Sequence, residues 1–246
     1  MYFSGLQKLT LLDYPGRVAC TVFTCGCNFR CPFCHNASLV LPERTGGEII
    51  ADAHPAGSFS EDQVLAFLKK RSGILDGVAV TGGEPLLHKG LAVFLEKVKS
   101  LGYSVKLDTN GSFPRYLKEI VRAGLADRVA MDIKNSPELY AATSGIPSMD
   151  LAPIEESKDF LLSGAVEYEF RTTVVMGMHT EESLLGAAEW IRGAKEYYLQ
   201  QFKDSGDVIG IRDGSFSGLG SFGEAEMRAF AEAVAEVVPS VQLRGI

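Results

Sequence analysis

All five cysteines of this chain, Cys20, Cys25, Cys27, Cys31 and Cys34, fall in one short window near the N-terminus, and none follows. Cysteines that staple an extracellular fold are spread along a chain, because each bridge closes a loop between distant parts. A cluster this tight points instead to a metal site at the front of a cytosolic enzyme. Within it, Cys27-x3-Cys31-x2-Cys34 puts three thiols on one loop. Three thiolates so close can hold three irons of a cubane cluster and leave the fourth iron open to a substrate or cosubstrate. A structural zinc with Cys25 as fourth ligand is the competing reading, but such sites usually draw their ligands from two separate knuckles. Cys20 alternates with Val18 and Val22, the pattern of a buried apolar thiol in a strand.

The rest of the composition suits an ordinary globular enzyme. Among 246 residues, 46% are hydrophobic and 22% charged, enough apolar surface for a sizeable core. With 31 acidic against 24 basic side chains the net charge is -7, which speaks against nucleic acid as a partner held by bulk charge. No apolar run approaches the eighteen or so residues of a membrane span, and no basic stretch leads into an apolar one at the start. A cytoplasmic protein with no membrane partner is expected.

Short apolar runs alternate with helical patterns along the chain, and no linker divides it, so one domain over residues 1–246 is expected. Val18–Phe23 reads as a strand running into the cysteine loop. Ser60 with Gln63 three places on is a capping box, and Val64, Phe67 and Leu68 keep the helical period. Gly77–Thr81 is a strand ending at Gly82-Gly83-Glu84-Pro85, and Leu91–Leu101 a helix stopped by Gly102. Ser104–Thr109 and Arg128–Ile133 are strands, each followed by a helix with a proline in its first turn, Pro114 and Pro137. A helix about Pro153–Leu162 stops at Gly164. The β-rich run Val166–Val175, a helix about Glu181–Gly193 and a sixth strand Glu196–Phe202 follow. A last helix carries Met227, Phe230, Ala231 and Val234, and Val241–Leu243 is a candidate edge strand. Six strands alternating with helices imply parallel βα units, as an open doubly wound sheet or a full or partial barrel. In both, function gathers at the C-terminal ends of the strands. The polar oddities of the sequence sit there: the cysteines, Gly82–Pro85, Asp108-Thr109-Asn110, Asp132 to Lys134, and Gln200-Gln201.

The loop Cys27-Asn-Phe-Arg-Cys31-Pro-Phe-Cys34, with an aromatic just before its last cysteine, resembles the cluster loop of radical S-adenosylmethionine enzymes. Gly82-Gly83-Glu84-Pro85 after the next strand is similar to that superfamily's second motif. The ending Cys34-His35-Asn36 and the earlier Asp13-Tyr14-Pro15-Gly16 resemble the activating enzymes of glycyl radical enzymes, those of anaerobic ribonucleoside-triphosphate reductase above all and those of pyruvate formate-lyase next. The resemblance implies a partial (β/α)6 TIM-like barrel of parallel strands. It implies one [4Fe-4S] cluster held by Cys27, Cys31 and Cys34, with S-adenosyl-L-methionine bound at the open iron. Reductive cleavage would then give a 5′-deoxyadenosyl radical that takes a hydrogen from a glycine of the partner, with a flavodoxin or ferredoxin as electron donor. By the same resemblance Gly82, Gly83 and Glu84 hold the methionine amino group, and a monovalent cation lies near Asp108, Thr109 and Asp132.

Other assignments come from strand-end chemistry. Asp108 and Asp132 can accept from ribose hydroxyls, and Lys134, on the same face as Asp132, can meet a carboxylate or ring nitrogen. Arg171, inside a strand, needs either Glu169 or an anion such as the methionine carboxylate. Gln200, Gln201 and Phe202 either line an adenine or cap a strand. Asp13 is expected to contact the glycine-bearing loop of the partner, an Asx-turn before Pro15-Gly16 being the local alternative. His35 is a candidate neighbour of the cluster, whereas His54, His88 and His179 read as loop residues. Partner choice is expected in a surface loop from Leu39 to Phe59. Two further functions compete: a radical enzyme acting on a small molecule, as in deazapurine biosynthesis, and a zinc module without catalysis.

Overall fold

The computed structural model describes residues 1–40, 57–212, 214, 216 and 218–246. His54 and most of the loop expected to choose a partner lie outside the described residues. The chain forms two compact units: Met1–Asn28 with Ser38–Ala130, and Phe29–Ala37 with Met131–Ile246.

In the first unit β1 (Tyr2–Phe3) pairs antiparallel with β4 (Phe59–Ser60), and β2 (Gly5–Thr10) pairs antiparallel with β3 (Ala19–Thr24). β3 continues in parallel to β5 (Gly77–Gly82) and β6 (Ser104–Thr109). The helices of this unit are α2 (Glu61–Lys70), α3 (Leu91–Ser100) and α4 (Pro114–Arg122). The expected capping box opens α2: Ser60 Oγ accepts from Gln63 N, and the Gln63 side chain accepts from Ser60 N. One face of the sheet is apolar, Cys20, Val78 and Val105 in one rank and Val22, Val80 and Leu107 in the next, all fully buried. The other face carries small and polar side chains, with Thr21, Ala79 and Lys106 in one rank.

The boundary between the units falls inside β7 (Arg128–Asp132), and α1 (Ala37–Val40) lies across another. In the second unit β8 (Glu167–Val174), β9 (Tyr197–Gln201) and β10 (Val241–Arg244) run parallel. Its helices are α5 (Pro137–Ser144), α6 (Ala152–Leu162), α7 (Glu181–Trp190), the short α8 (Ile209–Arg212) and α9 (Glu224–Ala235). The six expected strands and the edge strand are all present. The antiparallel β2 was not read from the sequence, because Gln7, Lys8 and Leu9 are all exposed there and leave no alternating pattern.

The C-terminal strand is clamped by charge. Arg244 reaches the fully buried carboxylate of Glu169 with two nitrogens, at 2.8 and 3.1 Å, and lies over the Tyr198 ring. Arg171, for which the sequence offered Glu169 or an anion, pairs with Asp132.

Candidate active site

The first arm of the cysteine loop leaves the end of β3 and is held by β5 and β6. Gly83 N donates to Thr24 O and Glu84 N to Gly26 O, each at 2.9 Å. A β-carbon on Gly82 (φ +113°) would lie 2.5 Å from the Thr24 backbone, and one on Gly83 would overlap Gly26. The glycine pair is thus required by the approach of two backbones. Glu84 is 1% exposed. Its oxygens accept from Leu86 N at 3.0 Å, Thr109 Oγ1 at 2.9 Å and Asn110 N at 2.7 Å. These bonds tie the ends of β5 and β6 together.

Asn110, a strand-end oddity given no role from the sequence, extends that tie to Cys27. Its Nδ2 lies 3.8 Å from Cys27 Sγ and donates to Asn28 Oδ1 at 2.9 Å. His88 lies in a loop as expected and is buried there, with Nε2 2.8 Å from the carbonyl of Cys25. Cys25 points its thiol at Leu39 O, 3.6 Å away, and Cys20 is fully buried with its thiol pushed up to about 12 by burial. Asp13 accepts a 2.5 Å hydrogen bond from Thr21 in the middle of β3, and Tyr14 packs where a side chain on Gly77 would stand.

The second arm belongs to the other unit. Cys31 and Cys34 close a turn through Cys34 N and Cys31 O, and α8 holds it, Gly210 N donating to Pro32 O and Ile209 N to Cys34 O. Burial pushes the Cys31 thiol up to about 11, while the Lys134 ammonium acts in the opposite sense, and Cys34 is raised by burial too. Phe33 has Lys134 5.9 Å from its ring centre and His179 edge-on at 6.3 Å. His179, also expected in a loop, is buried and bridges two backbone groups: Val175 N donates to Nδ1, and Nε2 lies 2.9 Å from Lys134 O. The pattern fixes a neutral ring with its proton on Nε2.

Asp132, Lys134 and Arg171 are brought together at the end of β7. Asp132 Oδ2 takes the Lys134 ammonium at 2.9 Å, and Oδ1 takes Arg171 Nε at 3.0 Å. Although burial opposes ionisation, the two adjoining cations hold the Asp132 carboxyl well below the usual carboxylate range. Gln201 donates to Phe222 O at 2.8 Å, while Phe202 is buried and His35 is exposed.

Among the described residues no three His, Cys, Asp or Glu side chains are grouped tightly enough to hold a metal ion by themselves. The fit to an iron–sulfur cluster lies in donor type and spacing. Cys27, Cys31 and Cys34 sit on one eight-residue stretch, and thiols are the donors such a cluster takes, each giving up its proton when the metal binds.

Parallel βα units with a three-thiol loop at the end of the first parallel strand define an iron–sulfur enzyme of the α/β class. The chain belongs to the radical SAM superfamily, whose family model matches residues 21–191. These enzymes use a [4Fe-4S] cluster and S-adenosylmethionine, which removes the zinc-module reading. Over 254 aligned residues the chain is 29% identical to a Methanocaldococcus jannaschii protein named "Putative glycyl-radical enzyme activating enzyme", covering 99% of this chain and 95% of that one. It is 28% identical over 164 residues to a 7-carboxy-7-deazaguanine synthase of Thermococcus kodakarensis, 62% of each chain being covered. The fold is that of a domain of pyruvate-formate lyase-activating enzyme from Bacteroides vulgatus, with a TM-score of 0.54, 17% identity, and coverage of 69% of this chain and 99% of that one. SuiB of Streptococcus suis, solved with its precursor peptide, matches at a TM-score of 0.67 and 12% identity over 92% of this chain and 48% of its own. The likeness places the fold with the partial parallel barrels of this superfamily. Among the described residues no helix is long and apolar enough to cross a membrane.

Proposed function

We propose that this radical SAM enzyme is an activase that generates a glycyl radical on a partner enzyme, anaerobic ribonucleoside-triphosphate reductase being the foremost candidate. One observation carries the reading: the match to a protein named as a glycyl-radical enzyme activating enzyme runs nearly the full length of both chains. The resemblance of Asp13–Gly16 and of Cys34-His35-Asn36 to activases supports it. The small-molecule alternative is favoured by the 7-carboxy-7-deazaguanine synthase match, which covers 62% of this chain.

Cys27, Cys31 and Cys34 would hold the cluster, which with S-adenosylmethionine supplies one electron and a 5′-deoxyadenosyl group able to take a hydrogen atom. The chain's own residues orient and seclude that chemistry. Gly82 and Gly83 present backbone beside the first arm of the loop, where a methionine amino group can be held. Lys134 and Arg171, joined through Asp132, offer two cations to a ligand carboxylate, with Asp132 left to meet ribose hydroxyls at its exposed edge. Asp108 is assigned to the same cofactor. Asp13 is assigned to the incoming peptide, and a flavodoxin or ferredoxin to electron delivery.

The test mixes the reduced, reconstituted protein with S-adenosylmethionine and the candidate reductase under anaerobic conditions. A glycine-centred doublet in the electron paramagnetic resonance spectrum is expected. Cofactor cleavage without a doublet on any glycyl radical enzyme, together with turnover of a deazapurine precursor, would replace this reading by the alternative.

A further inference from the structure

The residues that resemblance assigns to a monovalent cation are already engaged by this chain's own groups. Lys106 lies two places before Asp108 on β6, on the same face of the strand. Its ammonium is 2.7 Å from Asp108 Oδ1, and its side chain is 1% exposed. The sheet has room for it because its neighbour on β5 is Ala79, whose own neighbour on β3 is Thr21. A lysine side chain this deeply buried needs a hydrogen-bonding partner of opposite charge, and the Asp108 carboxylate adjoins it. Thr109, between the two ends, donates its hydroxyl to Glu84 at 2.9 Å and accepts from Gly111 N at 3.1 Å. Asp132 has one oxygen on Lys134 at 2.9 Å and the other on Arg171 Nη2, also at 2.9 Å. An alkali ion at Asp108 would have to share that carboxylate with an ammonium, and like charges at such range repel. These residues do not fit a bound alkali ion.

We propose that Lys106 replaces a bound monovalent cation in this protein, its ammonium serving as a covalently attached counter-ion that positions Asp108 at the end of β6. The enzyme then works without sodium or potassium. Lys106 is a positioning residue, and the inference rests on the chain's superfamily, independent of which substrate it serves.

The test uses reconstituted holoenzyme in tetramethylammonium chloride, titrated with potassium or sodium chloride at constant ionic strength. An ion that binds the native state raises the thermal midpoint as its concentration passes its dissociation constant. For the wild type a flat midpoint is expected, with an S-adenosylmethionine affinity that changes less than about twofold. Lys106→Met keeps a straight chain but takes the ammonium away from Asp108. It should bind S-adenosylmethionine about tenfold more weakly without alkali ion, and potassium or sodium should raise both its midpoint and its affinity. Lys106→Arg keeps a cation and should stay insensitive. An alkali-dependent midpoint or affinity in the wild type overturns the proposal, and so does a folded Lys106→Met whose loss neither ion restores or which shows no loss. If Lys106→Met does not fold, the wild-type titration decides alone, a flat response sustaining the proposal.

Discussion

A β-carbon on Gly83 would lie 1.8 Å from the carbonyl oxygen of Gly26. Two backbones therefore meet there with no space for a side chain, and the contact links the turn after β5 to the residue preceding Cys27. The glycine pair shapes the cysteine loop before it meets any cofactor.

Gly83→Ala should accordingly force that loop aside. Overpacking of this kind costs about 1–3 kcal/mol and more where backbone must move. The denaturation midpoint should fall and reconstituted iron content with it. Gly102→Ala is the control: φ is +88°, yet nothing lies within 4 Å of the added carbon. It should lose only about 1 kcal/mol from the left-handed conformation, with iron unchanged. Equal iron content and midpoint in Gly83→Ala and wild type would show that the contact does not shape the loop.

Cys25 and Cys20 should prove dispensable for the cluster. Cys25→Ser keeps a donor facing Leu39 O, and Cys20→Ala leaves a small apolar group in a fully buried place. Iron and sulfide analysis with visible absorption should match the wild type for both, whereas Ser at Cys27, Cys31 or Cys34 should abolish the absorption. Loss of iron in Cys25→Ser would put a fourth cysteine among the ligands.

Asp13→Asn should uncouple the reaction. The Thr21 contact can survive, because an amide oxygen still accepts from the hydroxyl. A misplaced peptide glycine can cost on the order of a hundredfold in rate for about 1 Å. Glycyl radical formation should then drop far more than 5′-deoxyadenosine production with dithionite alone. A parallel fall in both would make Asp13 a support of β3.

Stability should decline on mild acidification through His179. Burial lowers this imidazole's proton affinity below the ordinary histidine range, so the unfolded chain binds the proton more readily. The stabilisation it contributes is complete above about pH 6.5 and is lost as pH falls below that value, with a slope of at most about 1.4 kcal/mol per pH unit for one proton. Denaturation midpoints measured from pH 7.5 to 5.5 should drop for the wild type. In His179→Gln they should start lower and depend less on pH. An unchanged slope in the variant would assign the acid sensitivity elsewhere.

Much of this protein is written in short-range chemistry. The capping box at Ser60, the prolines opening α4 and α5, the stops at Gly102 and Gly164, and the spacing of Cys27, Cys31 and Cys34 each depend on residues a few places apart. Steric and hydrogen-bonding rules act at that range whatever the rest of the chain does. The register of neighbouring strands is not settled there, and it decides what the strand-end groups touch. Asp132 and Arg171 are 39 residues apart in sequence, so the ion pair between them exists only through the packing of β7 and β8, while Glu169, two places from Arg171, is used by Arg244 from the C-terminal strand. Likewise His88 and His179 are loop residues, and only folding buries them against carbonyls 63 and 45 residues away. Local sequence fixes the donors and the parallel strands that carry them. Tertiary structure alone decided which charges are neutralised and which carboxylates are already taken, because burial and partnership belong to contacts that the chain makes only when folded.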